Sequence, residues 1–180
     1  TGTLSYLYLS SRLIELPLGV FAISISTVLF PELARAVEAK SRTLFSDSLF
    51  KGLRMTIAIT LPAAVGLGVL ATPILSVLFQ WGNFRQTDVD IATEILIISA
   101  CTLPFYAFSA FLIKAFHSEK NMHSPLRAAL ISLFTNLAMS LLLMGTYGVY
   151  GLAFANLIAA VSQCFFLYFT QTDLRNSLSN

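Results

Sequence analysis

Between Leu4 and Phe30 the chain stays predominantly apolar for longer than the roughly 20 residues a helix needs to cross a bilayer, yet this stretch holds a cation and an anion, Arg12 and Glu15. Charge at membrane depth is costly and persists where it is paired or reached by water. Ser5, Tyr8, Arg12, Glu15, Gly19, Ala22 and Ser26 follow one another at spacings of three and four, so a helix gathers them on one face. Leu7, Ile14, Leu18, Phe21 and Ile25 fall opposite and are expected to meet acyl chains, leaving the polar stripe to face protein or a cavity. Two readings stay open. The charges belong to a pathway or binding site, or they form an internal salt bridge that glues helices together.

Hydrophobic residues make up 56% of the 180 and charged ones 11%, and the mean hydropathy is +0.77, which together describe an integral membrane protein. The apolar runs predict five spans near 4–30, 53–80, 89–113, 126–144 and 149–170, all helical, since a transmembrane barrel needs short alternating strands instead. Thr87-Asp88-Val89-Asp90 predicts a capped start for the third span, Ser124-Pro125 an N-cap and first-turn proline for the fourth, and Gly82-Asn83 a tight turn. Over 37–50 a narrow stripe containing Leu44, Phe45 and Leu49 predicts either an interfacial helix or a solvated connection. The first span lacks a basic leader and a small-residue cleavage site, so it is not expected to be a signal peptide. The abrupt start at Thr1 leads us to expect a fragment of a longer protein, forming a single membrane domain over 1–180.

Of eleven Lys and Arg, nine fall around the first and third connections and in the tail, Arg85 alone falls on the other side, and Arg12 is intramembrane. The positive-inside bias therefore predicts Thr1 outside and the C-terminal end in the cytoplasm. The net charge of +2 is no signal for nucleic acid, and no nucleic-acid partner is expected.

Chemistry on a bond finds little support. No serine or cysteine has a base in a nucleophile's arrangement, and no carboxylates are spaced as a catalytic pair. Cys101 and Cys164 read as small buried hydrophobes, and His117 and His123 as members of a solvated loop, so neither a metal nor a cofactor is predicted. Pro17, Pro62, Pro73 and Pro104 lie within spans and can kink them, and Pro17 with Gly19 forms either a hinge near Arg12 or a packing feature. Gly66, Gly68, Gly145, Gly148 and Gly151 suggest close helix approach, while Trp81, Phe84, Tyr147 and Tyr150 fit an outer aromatic belt.

One stretch matches something specific. Tyr6-Leu-Tyr-Leu-Ser-Ser-Arg12-Leu-Ile-Glu15-Leu-Pro17-Leu-Gly19-Val-Phe, followed by Leu29-Phe-Pro31-Glu-Leu, resembles the YYADRL-x-x-x-P-x-G … LP-x-L signature of the MurJ (MviN) lipid II flippases. Leu61-Pro-Ala-Ala-Val-Gly-Leu, Leu78-Phe-Gln-Trp-Gly82-Asn-Phe84 and Ala115-Phe-His-Ser-Glu-Lys-Asn-Met-His-Ser-Pro125 are similar to later blocks of that family, in the same order. The resemblance implies an all-α inner-membrane protein of the multidrug/oligosaccharidyl-lipid/polysaccharide exporter (MOP) superfamily. This chain would supply most of the second of two lobes around a cationic cavity, so a first lobe is an implied partner. It implies a transporter that flips lipid II by alternating access, with lipid II and membrane lipids as partners. The family's cavity arginine carries over to Arg12 and its glutamate to Glu15, while the usual aspartate before the arginine is replaced by Ser11, and the acid of the later loop by Asn121 or a neighbour. Arg12, Glu15, Tyr8 and Ser11 are the expected substrate contacts, since a guanidinium can hold phosphate oxygens through two parallel hydrogen bonds. A polysaccharide-repeat flippase, a drug exporter of the same superfamily and a non-transporting membrane scaffold remain alternatives.

Overall fold

Where water is absent a segment must satisfy its own backbone donors and acceptors, and helices do so residue by residue. A computed structural model describes residues 3–79 and 86–177, and among these no strand occurs. α1 (Thr3–Pro17) runs through a π-helical turn (Leu18–Ala22) into α2 (Ile23–Glu38). There follow α3 (Arg42–Val69), α4 (Ala71–Phe79), α5 (Gln86–Ala100), α6 (Leu103–Ser118), α7 (His123–Tyr147) and α8 (Val149–Ser177). Four helical stretches among the described residues are long and apolar enough to cross a membrane: Arg42–Val69, Thr87–Ser118, His123–Tyr147 and Val149–Thr172. The predicted first span is helical too, but it belongs to a longer run, Thr3–Glu38, that the π turn divides into pieces of 15, 5 and 16 residues. The Gly82-Asn83 turn, Trp81, Phe84 and Arg85 lie outside the described residues.

Proline explains two of the breaks. Pro73 occupies the first turn of α4 and Pro104 the first turn of α6, where a missing N–H removes no helical bond, and the chain bends just before each, at Leu70 and at Cys101–Thr102. Pro62 stays within an unbroken α3. Segment 37–50 is not a separate helix. α2 ends at Glu38, Lys40 adopts φ 51, Ser41 caps the next helix, and α3 continues from Arg42 without interruption because no glycine or proline intervenes before Gly52. The start of α7 also differs from expectation: the amide of Asn121, not Ser124, does the capping, accepting from the Ser124 N–H at 3.2 Å and donating to its hydroxyl at 3.0 Å.

Two apolar clusters hold the bundle. One joins Leu13 and Ile14 of α1 to Leu75 of α4, Ile95 and Leu96 of α5 and Leu103 of α6. The other joins Leu29 and Leu33 of α2 to Leu49 and Leu53 of α3 and Phe111 and Phe116 of α6. The π turn is where the first helical run passes from one cluster to the other: Leu18 packs on the first and Ile25 belongs to the second. This corrects the assignment of the oily face. Ile14 and Ile25 are buried, and Leu7 and Leu18 pack against protein, because neighbouring helices cover that side; of the five residues assigned to it, Phe21 stays exposed.

Among the described glycines, Gly52 and Gly151 are the two that close packing requires. A Cβ at Gly52 would lie 2.0 Å from the Phe111 ring, and one at Gly151 would lie 2.5 Å from the Leu143 carbonyl oxygen across the α7–α8 hairpin. Among the described residues nothing lies within 4 Å of where a Cβ would sit on Gly66, Gly68, Gly145 or Gly148, so they make no close approach there.

Candidate functional site

With its apolar side taken by the bundle, α1 turns its polar stripe outward. Tyr8 is 59% exposed, and the Arg12 and Glu15 side chains are 58% and 57% exposed. Arg12 Nη1 donates to Glu15 Oε2 at 2.7 Å, and the guanidinium carbon sits 5.0 Å from the centre of the Tyr8 ring, a cation–π distance. A carboxylate on one side and a ring beneath fix the guanidinium plane while leaving it accessible. Ser11 spends its hydroxyl on the Leu7 carbonyl at 2.8 Å, so it supports its own helix. The structure thus brings the four expected contact residues to one face. Side chains of Ser5, Ala22 and Ser26, assigned to the same stripe, lie outside the described ones.

Beside Glu15 the surface sinks into a recess of about 240 Å³, lined by Ser11, Glu15, Ser99, Thr102, Tyr106 and Asn156. The break between α5 and α6 makes this wall polar, since the Thr102 hydroxyl turns back to the Ser99 carbonyl at 2.6 Å. Asn136 of α7 donates to Asn156 of α8 at 2.5 Å, and Ser140 donates to Asn136 at 3.4 Å. Sequence reasoning missed Ser99, Thr102, Tyr106, Asn136 and Asn156. Their signal was there in isolated polar residues within apolar spans, which the two charges overshadowed.

Pro17 brings no N–H to the carbonyl one turn earlier, and the next five residues adopt the wider π winding. Gly19 lies in that turn with nothing within 4 Å of where its Cβ would be, so packing does not require a glycine there.

Residues 1–174 match the family model described as "Lipid II flippase MurJ". The chain is 35% identical over 174 residues to the probable lipid II flippase MurJ of Haemophilus influenzae, covering 93% of this chain and 34% of that protein. It is 36% identical over 169 residues to the corresponding Vibrio cholerae protein, covering 93% and 32%. A solved structure titled "Lipid II flippase MurJ, inward closed conformation" superposes with a TM-score of 0.86 at 33% identity, over 96% of this chain and 36% of that one. The chain therefore spans about a third of the length of the relatives it matches.

Proposed function

From its place in the lipid II flippase MurJ family, to which this chain belongs, we propose that it forms part of one lobe of a transporter that moves lipid II across the inner membrane by alternating access. It is a multi-pass membrane protein. The observation that carries the reading is the exposed, pre-oriented Arg12 on a helix whose other side is buried. Lipid II joins a polyprenyl tail to a polar head through a diphosphate, and hydrocarbon opposes passage of that head. Arg12 grips the diphosphate through parallel N–H···O bonds. Glu15 and Tyr8 hold the guanidinium flat, and Glu15 gives it up as the phosphate arrives. The recess beside Glu15 offers hydroxyl and amide groups to the sugars of the head. Such a site binds and releases without breaking a bond, as a transporter requires.

The π turn after Pro17 lies between the two apolar clusters and serves as the hinge, with Gly19 absorbing the backbone change. The excess of Lys and Arg near the Lys40 and Lys120 turns supports a cytoplasmic location for those turns and for the C-terminal end. Cysteine probes at Arg42 and Lys120 should resist membrane-impermeant reagent in intact cells; modification of either overturns the orientation.

The test of function uses the full-length protein in vesicles, with labelled polyprenyl lipids carrying a diphosphate or a monophosphate. The diphosphate lipid should be flipped faster in a protein-dependent manner. Equal rates for both, or rates no greater than in empty vesicles, would sink the reading.

A further inference from the structure

At the basic end of the bundle, away from Arg12, a recess of about 440 Å³ lies between the end of α2, the start of α3, the α6–α7 turn and the end of α8. Its polar lining divides by chemistry. On one side stand Lys40, Ser41 and Arg42, at the N-terminus of the 28-residue α3, where the helix dipole adds partial positive charge. On the other stand Glu119 and Gln171. Gln171 is only 6% exposed, and among the described residues its Oε1 has no hydrogen-bond partner, although a buried amide oxygen ordinarily finds one. Burial pushes the Glu119 carboxyl above its ordinary range, opposed by a hydrogen bond with Gln171 and by the nearby charge of Arg42.

A plain anion would suit Lys40 and Arg42 but would leave the Gln171 oxygen without a donor and would meet the Glu119 carboxylate. A ligand that complements both sides carries a negative group and, a few bonds away, a group with N–H donors. We propose that this recess holds the headgroup of a phosphatidylethanolamine-class lipid, its phosphodiester toward Lys40, Arg42 and the α3 N-terminus and its primary ammonium toward Gln171 Oε1 and Glu119. The apolar part of the lining, including Phe45, suits the glycerol end, and α3 leaves Leu44, Phe50 and Met55 exposed within the next turns for acyl chains.

Backbone geometry supplies a clean control. Lys40 sits in the left-handed region at φ 51, in a helix-terminating turn where Lys40 N–H bonds to the Val37 carbonyl and Ser41 N–H to that of Ala36. Glycine is favoured there, so Lys40→Gly removes the cation while relaxing the fold. The experiment is native mass spectrometry of the full-length protein, titrated with dioleoyl lipids bearing ethanolamine, choline or glycerol headgroups. The ethanolamine lipid should be retained about tenfold better than the choline lipid, which has no N–H, since one charge-assisted hydrogen bond separates them. Gln171→Leu should erase that advantage. Lys40→Gly should weaken ethanolamine and choline lipids alike without lowering thermal stability, so unfolding cannot account for its loss. Equal retention of ethanolamine and choline lipids by the unaltered protein, stronger retention of the glycerol lipid, or an ethanolamine preference that survives Gln171→Leu would each overturn the proposal. The outcome is independent of Arg12 and of flipping.

Discussion

α1 and α7 both turn much of their surface away from the bundle, and they do so with opposite chemistry. α1 exposes Tyr8, Arg12 and Glu15 with Leu16 beside them, whereas α7 exposes Leu137, Leu141 and Leu142 at 54%, 72% and 69%. Degree of exposure is therefore no guide to what lies outside. Lipid accepts the α7 face, because acyl chains are as apolar as leucine, and rejects the α1 face, because a cation and an anion in hydrocarbon lose their hydration. The relatives are about three times as long as this chain, and under the proposed function the α1 face is the one that turns to a cavity or a second lobe.

The largest effect should come from removing the cation of the polar face. In the full-length protein, Arg12→Ala should abolish support of wall synthesis, and Arg12→Lys should restore little, since lysine keeps the charge but loses the planar fork that binds two phosphate oxygens. Complementation and membrane abundance must be measured together. Full complementation by Arg12→Ala, or a defect wholly explained by lost protein, would take Arg12 out of the substrate site and erase the functional contrast between the faces.

The same new charge on each face tests the contrast directly. Leu137→Asp puts a carboxylate mid-span on α7, where insertion scales assign about 2.5 to 3.5 kcal/mol to an aspartate, so membrane abundance should fall. Ser11→Asp adds the same group beside Arg12 on α1, where the guanidinium is close, and abundance should hold. Equal losses would mean that both faces meet lipid.

How far these two faces were legible in the sequence differs for a physical reason. The helical character, the apolar runs and the membership of Tyr8, Arg12 and Glu15 in one stripe follow from periodicity and length, which are local properties. The direction of the opposite face did not follow. Ile14 and Ile25 are as apolar as a lipid-facing residue and as apolar as a core residue, and among membrane helices composition does not separate the two. The residues that share a recess with Glu15 stayed hidden too, because Thr102, Tyr106 and Asn156 come from distant parts of the chain and meet only through the α5–α6 break and the packing of α8. Over 37–50 what the sequence hid was the continuity of the helix: the stripe is there, but nothing before Gly52 interrupts the helix that continues into the span.

A smaller effect is expected at the anion. Glu15→Gln keeps an oxygen that accepts from Arg12 and makes the face more positive toward an anionic substrate, so transport should fall far less than in Arg12→Ala. If the pair were structural glue, Glu15→Ala would instead lower membrane abundance as much as Arg12→Ala by stranding the partner charge. Matched abundance losses in those two variants would recast the α1 face as an internal contact.

The smallest effect, and the one that separates shape from motion, should be at Gly19. Among the described residues no atom lies within 4 Å of its missing Cβ, so Gly19→Ala meets no clash there, and alanine favours helical backbone over glycine by about 1 kcal/mol. Abundance and thermal stability should therefore be unchanged or slightly raised. If the π turn only accommodates Pro17, transport should be unchanged as well. A hinge predicts otherwise: stiffening the turn between the two apolar clusters slows exchange between states, and the flipping rate should drop modestly while the affinity for a diphosphate lipid stays the same. Measuring rate and affinity on the same reconstituted sample decides between them, and an unaltered rate would leave α1 and α2 as one rigid wall carrying Arg12.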